Sequence, residues 1–148
     1  MNTVGIVQLP SPVLREKCAD VTDFEEFDSG LAGRLYGACR DSGRYGVAAP
    51  QIGVPVRAFA ASLSKSPYPM VLANPTVTSS WGSEVATEGC LSIADQWYVI
   101  ERAATVNVVA YTRTGRKVEM YARGTDARVL QHEIDHLDGV LIVDRANA

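Results

Sequence analysis

Apolar residues recur at helical spacing in two stretches of the chain and at strand spacing in much of what lies between them. Phe24, Phe27, Leu31, Leu35 and Ala38 fall three or four positions apart, which gathers them on one helical face. Asp23 stands before them with Glu26 three residues on, the start signal of a capping box. The pattern predicts a helix over residues 24–40, weakened where Gly30, Gly33 and Gly37 interrupt it. A second helix is predicted around residues 129–137. There Leu130, Ile134 and Leu137 line one face and Val129 shares the other with His132 and His136, so the segment is buried on two sides.

From residue 54 to 121 the period shortens toward two. Residues 56–60 and 70–73 are short apolar runs separated by a Ser/Pro-rich loop over 62–69, and Asn74-Pro75 turns the chain into a further run, 76–81. Residues 104–112 and 117–123 flank Arg113-Thr114-Gly115-Arg116, a hairpin signature. The predicted sheet is mostly antiparallel. Asp144 falls in what reads as a trailing strand. Residues 5–22 hold Pro10, Ser11, Pro12 and Asp20 and are expected to wrap the surface. Residues 42–53, with three glycines, a proline and small alanines, describe a loop held by its backbone and ending near the amide of Gln51.

At 148 residues and 47% apolar, the chain is expected to form a single domain over residues 1–148 with a sizeable core. A net charge of −3 without any Lys/Arg run argues against a nucleic-acid footprint. The apolar runs are too short for a bilayer, and the first five residues lack the basic-then-apolar pattern of a secretory signal, which predicts a cytoplasmic protein. Cys18, Cys39 and Cys90, odd in number and scattered, do not form a disulfide framework. In a reducing compartment each is a small core residue or a metal ligand.

Both histidines lie in Gln131-His132-Glu133-Ile134-Asp135-His136. Two histidines placed at random would fall four apart about once in 75 draws. On a helix that spacing puts both imidazoles on one face, able to reach one ion, while Glu133 lies one step round and can face a water on it. The arrangement is a metal site with its own base. A catalytic ion of this kind takes three protein ligands and keeps one position open. The longer pattern H-E-x-x-H-x-x-G-x-x-H holds through Gly139 and fails at Ile142. Downstream, only the side chains of Asp138, on the same helix, and Asp144 carry a carboxylate. The third ligand is therefore expected upstream, where a thiolate is the strongest unused candidate.

Gly46-Val47-Ala48-Ala49-Pro50-Gln51, Glu88-Gly89-Cys90-Leu91-Ser92 and the histidine segment together resemble, in order and separation, the three motifs of the peptide deformylases. The likeness runs from Pro10-Ser11-Pro12-Val13-Leu14-Arg15 through Asn74-Pro75 to Leu141. It implies an α+β fold with antiparallel β-sheets packed around the metal-binding helix. It implies one divalent ion per chain held by Cys90, His132 and His136, natively ferrous iron, with zinc, nickel or cobalt able to substitute. The implied reaction removes the N-formyl group from the initiator methionine of nascent chains. In that scheme Glu133 is general base and then acid, while the Gln51 side-chain amide and the Leu91 backbone N–H meet the oxyanion. Tyr45, Gly46, Gly89, Thr125, Arg128 and Val129 would line the groove in which the peptide lies as an added strand. The implied partners are N-formylated nascent peptides, with no nucleic acid or membrane, and the implied state is a monomer.

Some positions depart from the family pattern. Arg44 replaces the first glycine of the loop motif and Tyr45 a branched aliphatic residue; Ala94 stands for a proline and Trp97 for a frequent arginine. Thr125-Asp126, placed before the motif helix, replace an apolar pair of which one member lines the methionine pocket. The metal and base survive these changes, but Tyr45 and Trp97 add aromatic surface to the pocket and Thr125 makes one wall more polar. The chain stops soon after Asp144, as in short forms found in bacteriophages and some bacteria. Many bacterial members continue into a helix that contacts the ribosome, so only weak ribosome association is expected here. Three rival readings stand beside the enzyme. A non-catalytic metal-binding module of the same fold would need a lost catalytic group, yet Gln51, Cys90, Leu91, His132, Glu133 and His136 are all present. A metal-free Cys90/His hydrolase is chemically competent but leaves the second histidine and Glu133 without a task. A metal-dependent peptidase has the wrong third ligand.

Overall fold

The computed structural model describes residues 5–146. The N-terminal residues 1–4, read above for a secretory signal, and the last two residues lie outside the described residues. Among the described residues, seven strands run β1 (Gly46–Ala48), β2 (Ala58–Ala61), β3 (Met70–Trp81), β4 (Glu84–Cys90), β5 (Ile93–Arg102), β6 (Thr105–Tyr111) and β7 (Lys117–Arg123). Five of them form one antiparallel sheet in the order β1-β2-β3-β6-β7, and β4 with β5 forms a separate hairpin. Helices α1 (Phe24–Ser29), α2 (Leu31–Ser42), α3 (Gly124–Leu137) and α4 (Ile142–Ala146) complete the α+β architecture.

The large sheet is covered on both faces at its β1–β2 end, and β2 shows why. All four of its residues are buried, and strand geometry sends alternate side chains to opposite sides. Phe59 and Ala61 join Leu72, Val106, Val108 and Ala110 under Leu130, Ile134 and Leu137 of α3. Ala58 and Ala60 join Val71 and Ala73 against Leu35 and Cys39 of α2 and Phe27 of α1. A third cluster, Leu14, Ile93, Ile100, Leu141 and Ile142 with Cys90, ties the β4–β5 hairpin to the N-terminal segment and α4. Burying each Leu or Ile contributes roughly 1.5–3 kcal/mol, so α3, apolar on the sheet side, is fixed firmly in the middle of the fold.

The structure differs from the sequence reading at several elements. The predicted helix over 24–40 is two helices, because Gly30 (φ −128°, ψ −89°) ends α1 and starts α2; Asp23 caps α1 as expected, accepting from the Glu26 N–H. Asn74-Pro75 makes no turn. Asn74 (φ 49°) sits at a bulge within the continuous β3 and exchanges two hydrogen bonds with the Val21 backbone, a place where proline's missing N–H costs nothing. The loop over 42–53 contains β1 and a 3-10 turn, Ala49–Ile52. Thr125 and Asp126 lie within the first turn of α3 rather than before it. The trailing strand is α4, within which Asp144 accepts from the Leu141 N–H. Asp138 caps α3 instead of extending it. Gly139 then turns the chain at φ 73°, where a Cβ would stand 2.4 Å from the Arg15 carbonyl oxygen.

The N-terminal segment does more than wrap the surface. Val7 N–H donates to Gln51 O (2.7 Å), Leu9 N–H to Ser92 O (2.9 Å) and Cys18 N–H to Leu137 O (2.9 Å), while Gln8 Nε2 donates to Leu91 O (2.8 Å). This one segment, with a 3-10 turn over Pro12–Arg15, thus ties together three stretches that are far apart in sequence.

Candidate active site

Helix α3 presents His132 and His136 toward Cys90, which ends β4 where the hairpin register slips between Gly89 and Cys90. The ligand atoms of these three residues lie within 4.8 Å of one another, with Cys90 Sγ 3.4 Å from His136 Nε2. A tetrahedral ion bonded to sulfur at about 2.3 Å and to nitrogen at about 2.0 Å spaces its ligand atoms roughly 3.5 Å apart. The cysteine sulfur expected upstream thus stands within reach of both imidazoles.

Glu88, part of the cysteine motif, orients the first histidine: its Oε1 lies 2.9 Å from His132 Nδ1, which leaves Nε2 for an ion. Burial alone would raise the Glu88 carboxyl, but its bonds from His132 and Arg102 outweigh burial and hold it well below the usual carboxylate range. Arg102 donates from Nη2 to Glu88 Oε1 (2.9 Å), from Nε to Oε2, and from Nη1 to Asp135 Oδ2 (2.9 Å). Arg128 donates from Nη1 to Glu88 Oε2. Two guanidiniums thus share the carboxylate that holds His132.

Glu133 is buried, and its Oε1 has no partner among the described residues. Burial pushes its carboxyl up to about 7, near where a general base works best. Gly46 lets the β1 backbone approach this acid: a Cβ there would lie 2.5 Å from Glu133 Oε2. Burial would lower His132, yet hydrogen bonds to Cys90 and Glu88 and the Glu133 charge raise it to about 10. Burial drives His136 the other way. Among Cys90, Glu88 and Glu133 the pocket thus favours the charged form of His132 but not of His136. A soft sulfur, two imidazoles and an orphaned acid fit one divalent ion.

Gln51 is fully enclosed and oriented by its surroundings. Ala48 N–H donates to Oε1 (2.9 Å), so Nε2 faces Ser92 Oγ (3.1 Å) and Cys90 Sγ (3.6 Å). A cleft of about 290 Å³ opens over the site. Tyr45, Gly46, Gly89, Thr125, Arg128 and Val129 all line it, with Gln51, Cys90, Leu91, His132 and Glu133, while His136 sits outside that lining. Of the departures, Trp97 packs on Gly89, where a Cβ would lie 2.4 Å from the ring. The Arg44 guanidinium stacks over the same Trp97 ring, 5.2 Å from its centroid. Asp126 accepts from Ser64 N (3.0 Å) and Oγ, pinning the 62–69 loop to α3. Sequence reasoning missed the roles of Glu88, Ser92 and Arg102. Two of these stood inside a recognised motif, whereas Arg102 is brought in only by the β4–β5 pairing, which sets it opposite Glu84.

A cysteine sulfur and two imidazoles converging beside a buried acid, in a groove between two strand edges, define a metal-dependent amide hydrolase. The model of the family described as polypeptide deformylase matches residues 3–148, and the chain belongs to that family. The peptide deformylase of Desulforudis audaxviator is 42% identical over 147 residues, spanning 99% of this chain and 95% of the relative. That of Brucella suis is 38% identical, over 97% of this chain and 85% of the relative. The crystal structure of the Thermotoga maritima peptide deformylase superposes with TM-score 0.89 at 37% identity, covering 95% of each chain. A Met-Ala-Ser-bound peptide deformylase from Acinetobacter baumannii gives TM-score 0.85 at 28% identity, over 95% of this chain and 96% of that one. No described helix is long and apolar enough to cross a membrane.

Proposed function

We propose that the residues of this cleft remove the N-formyl group from the first methionine of new polypeptides, with Cys90, His132 and His136 holding the ion. The observation that carries the reading is the buried, unpartnered Glu133 carboxylate next to the Cys90–His132–His136 cluster. When bound, a divalent ion supplies a Lewis acid for the formyl oxygen and makes a water acidic enough to attack near neutral pH. Glu133 takes the proton from the attacking water and delivers it to the departing amine nitrogen, which its raised proton affinity suits. Gln51 Nε2 and the Leu91 N–H stabilise the oxygen as it gains charge, a donor of this kind being worth on the order of 3 kcal/mol. β1 and β4 are edge strands whose residues line the cleft, so the peptide backbone adds between them as a strand. That use fits the Met-Ala-Ser peptide bound to the Acinetobacter protein.

Ferrous iron is the native ion in this reading, with zinc, nickel or cobalt able to replace it, and the enzyme works in the cytoplasm as one catalytic domain and as a monomer, with at most weak contact to the ribosome. The test is formate release from formyl-Met-Ala-Ser by iron-loaded wild type and by Glu133→Ala. A loss of at least about 100-fold in the variant, with metal still bound, is expected. Equal rates would remove Glu133 from the mechanism and favour a non-enzymatic role.

A further inference from the structure

One wall of the cleft carries a guanidinium. Arg128 lies one helical turn before His132 on α3, and Thr125 nearly one turn earlier; both line the cleft beside Ala86 and Val129. Arg128 is locked in place. Its Nη1 donates to Glu88 Oε2 and Ile100 O (3.1 Å), and its Nη2 to Glu84 O (2.6 Å). Its Nε–H is engaged by no described residue. A substrate whose formyl carbon reaches the ion site has its Cα two bonds away, so the first side chain must be housed by these walls.

Resting on the deformylase reading above, we infer that Arg128, with Thr125, makes this pocket select a first side chain that carries a hydrogen-bond acceptor. Formylated chains beginning with methionine sulfoxide then form a second substrate class. A guanidinium offers its N–H donors in a fixed plane and is weakly hydrated, so it tolerates the thioether of methionine, a weak acceptor. The sulfoxide of oxidised methionine gives it a strong acceptor at the same chain length. Norleucine, of equal length, gives it none, and an apolar chain against a polar wall forfeits hydration without a replacement bond. A hydrogen bond to a charged donor is worth about tenfold or more in selectivity.

The experiment compares kcat/KM for formyl-norleucyl, formyl-methionyl and formyl-(methionine sulfoxide)-Ala-Ser peptides with iron-loaded wild type, Arg128→Leu and Arg128→Lys. In parallel, calorimetry gives the affinities of the three unformylated tripeptides. Wild type should turn over the sulfoxide at least as well as methionine and ahead of norleucine, with affinities in the same order. Arg128→Leu should lower the sulfoxide-to-norleucine ratio by about tenfold or more, and Arg128→Lys should keep the sulfoxide ahead. Wild type favouring norleucine over the sulfoxide, or an unchanged ratio in Arg128→Leu, overturns the inference. If Arg128→Leu does not fold, the wild-type order decides. Absence of turnover on all three peptides with the affinity order intact would instead strike the deformylase reading and leave the pocket inference standing.

Discussion

Replacing Gly46 by alanine should separate activity from stability. The new Cβ would lie 2.5 Å from Glu133 Oε2, 2.7 Å from Cδ and 2.9 Å from Cγ, whereas ordinary contact begins at 3.4 Å. The carboxyl must therefore retreat by 3.4 − 2.5 = 0.9 Å, or β1 must open. A displacement of about 1 Å in a reacting group costs on the order of 100-fold in rate, equivalent to about 2.7 kcal/mol of transition-state stabilisation. Crowding by one methyl costs the fold about 1–3 kcal/mol. Glu133 is not among the ligand residues, so metal affinity should stay within about threefold. The assay is kcat for formate release from formyl-Met-Ala-Ser, set beside urea unfolding and metal binding by chelator competition. A folded, metal-loaded Gly46→Ala protein with kcat within about threefold of wild type would refute the claim that this glycine positions the base.

Three further outcomes follow from the same geometry. Glu88→Gln leaves a neutral amide between two guanidiniums and weakens the bond that orients His132; metal affinity should fall about 10- to 100-fold, and an unchanged dissociation constant would contradict this role. Gln8→Ala removes the 2.8 Å bond to the Leu91 carbonyl; kcat should drop roughly 3- to 10-fold through a loosened Leu91 peptide, and full activity would show that the neighbouring Leu9–Ser92 bond suffices. Burial would raise Asp144, but the Leu141 N–H and Arg15 outweigh it and hold the carboxyl below its ordinary 3.8. Its contribution is thus fully present above about pH 4 and lost as pH falls through the depressed value. Asp144→Asn should flatten the acid limb of urea stability by under about 1 kcal/mol, since the pair is partly solvated; an identical pH dependence would dismiss the pair.

How much was legible in the sequence depended on the range of each interaction. The His132–His136 pair and its flanking Val129, Leu130, Ile134 and Leu137 are one helix, so their geometry follows from period alone. Strands β6 and β7 were readable because Gly115 marks the hairpin between them. Cys90 could be linked to the histidines only through its motif, since 46 residues separate it from His136. Arg102, which supports Glu88 and Asp135 together, had no local signal because its position depends on the β4–β5 register. Gly30 was visible as a weak point in the first helix, yet period could not say that it would divide the helix. Asn74-Pro75 carried turn chemistry that the fold spends on a bulge, with Val21, 53 residues away, as the partner that fixes it.

The central claim is that catalysis depends on a single ion held by Cys90, His132 and His136. Titrating metal-free protein anaerobically with ferrous iron, while following formate release from formyl-Met-Ala-Ser, tests it most directly. The account predicts activity rising in proportion to bound iron and levelling at one ion per chain. Full turnover by the chelated protein, or a chain carrying one bound ion that releases no formate, would contradict it.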